Sequence, residues 1–369
     1  MGAGGDWIQA SKTAAHLRAL GVDVTLSTYP FPQLRRYDLV HLITLYTYKQ
    51  AEAAIKYGCP VVVSPVYWNT AEYDGSAVPR GAVKRFFRST VRQTSTVMRV
   101  RGFVTNYFRL RRIEPHIPDA VRIAWDQSRY QIKGRLLFQH VIDAARVLLP
   151  NSKMEAELLR HDFRVNNLVL PVPNGAEPKS EPARCKDPEK SPSQGYVLSV
   201  AARFSYRKNQ LAIVKALRDS NLKFVFVGRT TNRLEMRYLE QCQSCASSSM
   251  TFINRSLGED ELLPLYQGAR VHVLASWFET PGLVSLEAAM AGCAVVTTDR
   301  GSPREYFGEL ASYCSPGDVE SIRTTVLAAW KAGPPPGLNE HVRANFTWRR
   351  VAEETIRGYE LALGANSRS

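Results

Sequence analysis

Two glutamates, Glu279 and Glu287, stand in the passage Phe278-Glu279-Thr280-Pro281-Gly282-Leu283-Val284-Ser285-Leu286-Glu287-Ala288-Ala289-Met290-Ala291-Gly292. The apolar run Val271–Leu274 ahead of it reads as a strand, Pro281 and Gly282 as a turn, and Leu283–Ala291 as a helix. Backbone N–H groups where that helix starts, around Gly282, Leu283 and Val284, are placed to hold a phosphate. Glu279 lies just before the helix and Glu287 about one turn into it, so both carboxylates point near one cleft. Carboxylates flanking a phosphate-binding helix start suit a ligand with hydroxyls on both sides of a diphosphate. A nucleotide sugar is such a ligand, with ribose at one end and a hexose at the other.

A second constellation follows another strand. In Ser199-Val200-Ala201-Ala202-Arg203-Phe204-Ser205-Tyr206-Arg207-Lys208-Asn209-Gln210 a strand ends in small residues and then offers Arg203 and Lys208 before a helix. Two cations there neutralise a diphosphate leaving group and lower the barrier to its departure. Asn209 is either a further donor-site residue or the cap of the helix. No G-x-S-x-G marks a hydrolase nucleophile, and no D-x-D marks a metal-bound diphosphate. The expected charge at the diphosphate is therefore supplied by Arg203, Lys208 and a helix dipole, with no metal and no cofactor beyond the nucleotide-sugar co-substrate. His16, His41 and His272 lie in helix or strand contexts and read as core, while His140 and His161 have no assignment. Cys242 and Cys245 form a C-x-x-C without a second pair at zinc spacing, and read as ordinary helix cysteines.

The elements that must position these groups fall into two similar halves. Val22–Leu26, Leu39–Ile43, Pro60–Val63, Arg146–Leu149 and Leu168–Leu170 read as strands of the first half, with a helix over Ala10–Leu20. Tyr196–Val200, Phe224–Val227, Thr251–Ile253, Val271–Leu274 and Ala294–Thr297 read as strands of the second. Helices are expected over Asn209–Arg218, Arg233–Cys245, Asp260–Gln267, Leu283–Ala291 and Trp348–Leu363. Such alternation predicts α/β architecture with parallel sheets covered by helices on both faces. Glu177–Gln194, rich in Pro, Lys, Ser and Glu, reads as a linker. The expected division is 1–176, the linker 177–194, a second domain 195–345, and a C-terminal helix over 346–369 that crosses back. A doubly wound domain normally opens on a buried strand, whereas here the glycine-rich turn Gly2-Ala3-Gly4-Gly5 follows Met1 directly. Either the start lies upstream, the reading favoured here, or the sheet lacks what is usually a central strand.

The passage holding Glu279 and Glu287 resembles the E-x7-E donor motif of family 4 glycosyltransferases, which are retaining enzymes of the GT-B fold. The resemblance implies two Rossmann-like doubly wound domains facing a central cleft, with Glu279 on the hydroxyls of the donor sugar and Glu287 on the nucleotide ribose. It implies a UDP- or GDP-linked donor, a glycan or lipid-linked acceptor, and retention without a covalent enzyme intermediate. Arg203 and Lys208 match the R-x4-K element of that family. Phe226-Val227-Gly228-Arg229 is similar to its glycine-ended strand, Gly301-Ser302-Pro303-Arg304-Glu305 to a loop, and Phe346-Thr347-Trp348 to the start of its crossing helix. Pro150-Asn151-Ser152 and Pro173-Asn174-Gly175 resemble loops near the cleft. Gly4 and Gly5 resemble the loop that faces donor phosphate and acceptor. After Pro60–Val63 the family often carries a histidine; this chain reads Ser64-Pro65-Val66-Tyr67-Trp68-Asn69, leaving Tyr67 and Trp68 either to stack on a sugar ring or to pack.

The net charge of +14 is spread unevenly. Between Gly75 and Ile113 stand ten Lys or Arg and no Asp or Glu, interleaved with Phe86, Phe87, Phe103, Tyr107 and Phe108. Such a surface attracts anions, and peripheral contact with an anionic membrane suits a lipid-linked acceptor. The expected location is cytoplasmic, on the inner face of a membrane if bound to one. Three rival readings are an inactive or truncated GT-B relative, another GT-B-fold enzyme such as a sugar-nucleotide epimerase or a phosphorylase, against which the E-x7-E context argues, and a nucleic-acid-binding protein. The last is disfavoured because no recognition motif accompanies the charge.

Overall fold

The computed structural model describes residues 4–28, 34–68, 135–177 and 195–364. The basic segment 75–113 and the linker beyond Glu177 lie outside the described residues. The first sheet consists of β1 (Val40–Ile43), β2 (Val61–Ser64), β3 (Val147–Leu148) and β4 (Leu168–Val169), parallel and paired in that order. Around it lie α1 (Gly5–Ala19), α2 (Tyr48–Lys56), α3 (135–144) and α4 (Lys153–Asp162).

The second sheet contains β5 (Tyr196–Arg203), β6 (Phe224–Arg229), β7 (Met250–Asn254), β8 (Ala269–Leu274), β9 (Ala294–Thr298) and β10 (Ser312–Cys314). All are parallel, in the order β10-β9-β8-β5-β6-β7. Its helices are α5 (Gln210–Leu217), α6 (Arg233–Ser244), α7 (Glu259–Gly268), α8 (Leu283–Met290), α9 (Pro303–Phe307), α10 (Val319–Ala332) and α11 (Leu338–Asn345). The last helix, α12 (Trp348–Leu363), returns to the first sheet.

Strands buried on both faces read as unbroken apolar runs, and alternate residues serve opposite faces. In β2, Val61 and Val63 join the core under α2, α3 and α4. Val62 points the other way and packs with Trp348 and Val351 of α12. Where α12 crosses, Gly358 lies so close to Leu149 that a Cβ would meet its side chain at 2.7 Å. Helix α12 also packs on α1. His41 joins it to the first sheet by bonding Tyr359 Oη at 2.9 Å through Nδ1 and Ser64 Oγ at 2.9 Å through Nε2. Burial lowers its pKa to about 4.

Two expectations need correction. Val22–Leu26 joins no sheet: a strand needs a ladder partner, and among the described residues β1 pairs only with β2. Instead Arg18 donates from Nε and Nη2 to Val24 O, at 3.0 and 2.8 Å. His16 is not a core residue but lies half-buried against Glu177, 3.2 Å away. Helices α2, α3, α4, α9, α10 and α11 and strand β10 have no individual counterpart in the sequence reading.

Candidate active site

The order of the second sheet reverses between β5 and β8, which are neighbours although three helices and two strands separate them in sequence. Ligands of doubly wound sheets bind beyond the C-terminal ends of the strands at such a reversal. Arg203 closes β5, and the loop after β8 carries Glu279, so both constellations lie at this point.

Glu279 is anchored by its backbone. Its N–H donates to Arg300 O at 3.4 Å and its carbonyl accepts from Ser302 N at 2.9 Å, a bridge that sits over Gly301. Gly301 has φ +94, and a Cβ on it would meet Glu279 O at 2.0 Å. The residue is 5% exposed and its carboxylate accepts from Lys208 Nζ at 2.6 Å. Burial favours its neutral form, but Lys208, backed by Arg207, outweighs burial and holds the group below the ordinary glutamate value. Burial is also the main influence on Lys208, whose pKa falls to about 8 despite the pull of Glu279. Near neutral pH the pair is ionised.

Pro281 and Gly282 turn the chain into α8, Gly282 taking the left-handed conformation at φ +80. The first amides of α8, Leu283 and Val284, have no acceptor within the helix. Glu287 is half-buried on α8 and accepts from Tyr266 Oη at 2.9 Å. Behind the two glutamates lies His272, fully buried, with Nδ1 3.5 Å from Ser285 Oγ. Burial drives its pKa down to about 3, so it is a neutral spacer.

The remaining candidates divide. Arg203 is half exposed and paired with Glu235 Oε1 at 3.4 Å, away from the Lys208–Glu279 pair. Asn209 occupies the N-cap position of α5 at φ 58, but its side chain makes no cap bond: its Nδ2 donates to Ala275 O at 3.0 Å and Pro316 O at 2.8 Å. It pins the turn that carries Lys208. Gly228 lies tightly against β5, where a Cβ would stand 3.2 Å from Ala201 O. Gly4 caps α1 in extended conformation and Gly5 opens the helix.

Tyr67 turns inward. Its ring packs edge-on to Phe163 with centres 5.1 Å apart, its hydroxyl donates to Asp162 at 2.7 Å, and its N–H donates to Glu155 at 2.6 Å. Trp68 faces the other domain, with Arg207 Cζ 5.3 Å from its ring centre. Arg207, Tyr266 and His272 were not assigned to the site by the sequence. Only Arg207 left a trace there, as the neighbour of Lys208.

Close by, the domains meet through polar groups. Ser152 Oγ and Ser302 Oγ are 2.7 Å apart, and Glu305 accepts from Lys153 N at 2.8 Å and Met154 N at 2.7 Å, closing the start of α4. Tyr306 donates to Asn151 O at 2.6 Å and accepts from Asn174 N at 2.9 Å. On the first-domain side of this contact a buried amide trio ties the loops together: Gln9 donates to Asn151 at 3.0 Å and accepts from Asn174 at 3.2 Å.

Two facing parallel α/β domains joined by a returning helix are shared with solved structures. Sucrose-phosphate synthase from Thermosynechococcus elongatus superposes with a TM-score of 0.64 at 18% identity, covering 98% of this chain and 94% of that one. The fold is GT-B. Anabaena HepE, solved with UDP and glucose, matches with a TM-score of 0.59 at 14% identity over 97% of this chain and 83% of its own. Within this GT-B chain, residues 184–335 match the family model described as Glycosyl transferases group 1. That stretch contains Arg203, Lys208, Glu279 and Glu287. An uncharacterized glycosyltransferase of Methanocaldococcus jannaschii is 27% identical over 179 residues, 44% of each chain. The chain thus spans less than half the length of the curated relatives it matches.

Proposed function

We propose that this chain is a glycosyltransferase that moves a sugar from a nucleotide-diphosphate donor, UDP- or GDP-linked, to a glycan or lipid-linked acceptor with retention of configuration. The setting proposed is synthesis of a cell-surface polysaccharide or glycolipid. One observation carries the reading: Glu279 and Glu287 bracket the start of α8 at the sheet reversal, and Lys208 bonds Glu279 at 2.6 Å. Glu279 would take the hydroxyls of the donor sugar and Glu287 the ribose. Lys208 and the α8 amides would meet the diphosphate; Arg203 would have to leave Glu235 to join them. Transfer breaks the bond between the anomeric carbon and the diphosphate oxygen. A bond from the acceptor oxygen forms on the same face, and the acceptor's proton passes to the departing phosphate. Positive charge fixed beside that oxygen lowers the barrier, and apposed domains keep water from competing.

The test is a thermal-shift screen against UDP, GDP, ADP and their sugars on wild type and Glu287→Ala. Stabilisation by one nucleotide, reduced in the variant, is expected and names the base. Folded wild-type protein that responds to none of them would refute the reading.

A further inference from the structure

The turn between β5 and α5 carries three cations in different circumstances. Arg203 is turned to Glu235 and half exposed. Lys208 is engaged with Glu279. Arg207 lies over Trp68 of the first domain and reaches Phe278 O with Nη1 at 3.4 Å, next to Glu279 in the chain. Among the described residues, Lys208 feels one carboxylate, Glu279, and one cation, Arg207; Glu279 feels both cations. Arg207, Lys208 and Glu279 therefore carry one positive charge more than they balance. Unbalanced charge held partly out of water is costly until an anion meets it.

The backbone under Arg207 is fixed from several sides. Its carbonyl accepts from Trp277 N at 3.0 Å, and Tyr206 stacks on Trp277 with ring centres 6.0 Å apart. Asn209 fastens the end of the turn to Ala275 and Pro316. With the backbone held, the direction of the guanidinium depends on what its long side chain rests against, and that is the indole of Trp68. Attraction of the guanidinium to the indole face, with Nη1 turned to Phe278 O, leaves its remaining N–H donors available for an anion.

Resting on the nucleotide-sugar reading of this cleft, we infer that Arg207 is a diphosphate-binding residue acting beside Lys208, and that Trp68 reaches across the cleft to hold it in place. Trp68 is thus a positioning residue, through which the acceptor-side domain takes part in donor binding.

The experiment is a binding titration of the full chain with UDP, GDP and ADP, each against its own nucleoside. Wild type that prefers no diphosphate over its nucleoside would sink the underlying reading and this inference with it. Where wild type shows the preference, Arg207→Gln should weaken the diphosphate about 10- to 100-fold and leave the nucleoside unchanged. Arg207→Lys, which keeps the charge, should recover part of the loss. Trp68→Ala should also weaken only the diphosphate, and the double variant should bind it no worse than Arg207→Gln alone. Unchanged diphosphate affinity in Arg207→Gln, with wild-type nucleotide preference intact, overturns the assignment of Arg207. Equal losses for diphosphate and nucleoside also overturn it, as they would report a general loss of shape. Additive losses overturn the role given to Trp68.

Discussion

Lys208 is the residue on which the chemistry of this cleft turns, because its charge is conditional. Burial lowers its pKa to about 8. A lysine with a depressed folded pKa is charged below that value and loses its charge as pH rises through it. Affinity for a nucleoside diphosphate should therefore be flat between about pH 7, where its terminal phosphate is fully ionised, and about pH 8, and fall above that by up to about tenfold per pH unit. The nucleoside should show no such fall, and isothermal titrations at a series of pH values would read both. A flat diphosphate profile to pH 10 would mean that Lys208 does not meet the ligand. His272, with its pKa near 3, adds no titration in this window. Sequence spacing brought Glu279, Glu287, Arg203 and Lys208 to one end of one sheet, because a strand followed by a turn and a helix is a local pattern. It could not tell that Arg203 turns to Glu235 while Arg207 turns to Trp68, since side-chain direction depends on partners distant in the chain.

At the scale of elements, the strands of the second sheet were legible because parallel strands buried on both faces leave continuous apolar runs. Strand β10 was missed because its three residues are too short to show a pattern. Val22–Leu26 shows the converse: a good strand pattern makes no strand where, among the described residues, no neighbour supplies a ladder. The join between β9 and α9 matters most for function. Gly301 lies there in the left-handed region, with no room for a Cβ against Glu279 O. Gly301→Ala should displace the Glu279 backbone and cost roughly 1–3 kcal/mol in strain. A melting curve would show the loss of stability. Titration should show the nucleotide sugar weakened more than the free nucleotide, since Glu279 is placed on the sugar side. If both ligands weakened in the same ratio, Glu279 would not be the sugar-side carboxylate.

The whole molecule is held together by contacts that neither half announces. Ser152 with Ser302, Glu305 with the first amides of α4, and Tyr306 with Asn151 and Asn174 are ordinary polar residues until two sheets meet. The returning helix is the exception, since its amphipathic run could be read directly as Trp348–Leu363. That helix settles where an observer of domain movement must look. Since α12 packs on α1, the earliest and latest described helices ride on the same domain. A fluorophore pair placed on α1 and α12 would keep one transfer efficiency however far the cleft gaped. Moving one dye from α1 to the exposed Met236 of α6 should make the signal respond to a nucleotide sugar, and the α1–α12 pair then serves as the built-in silent control.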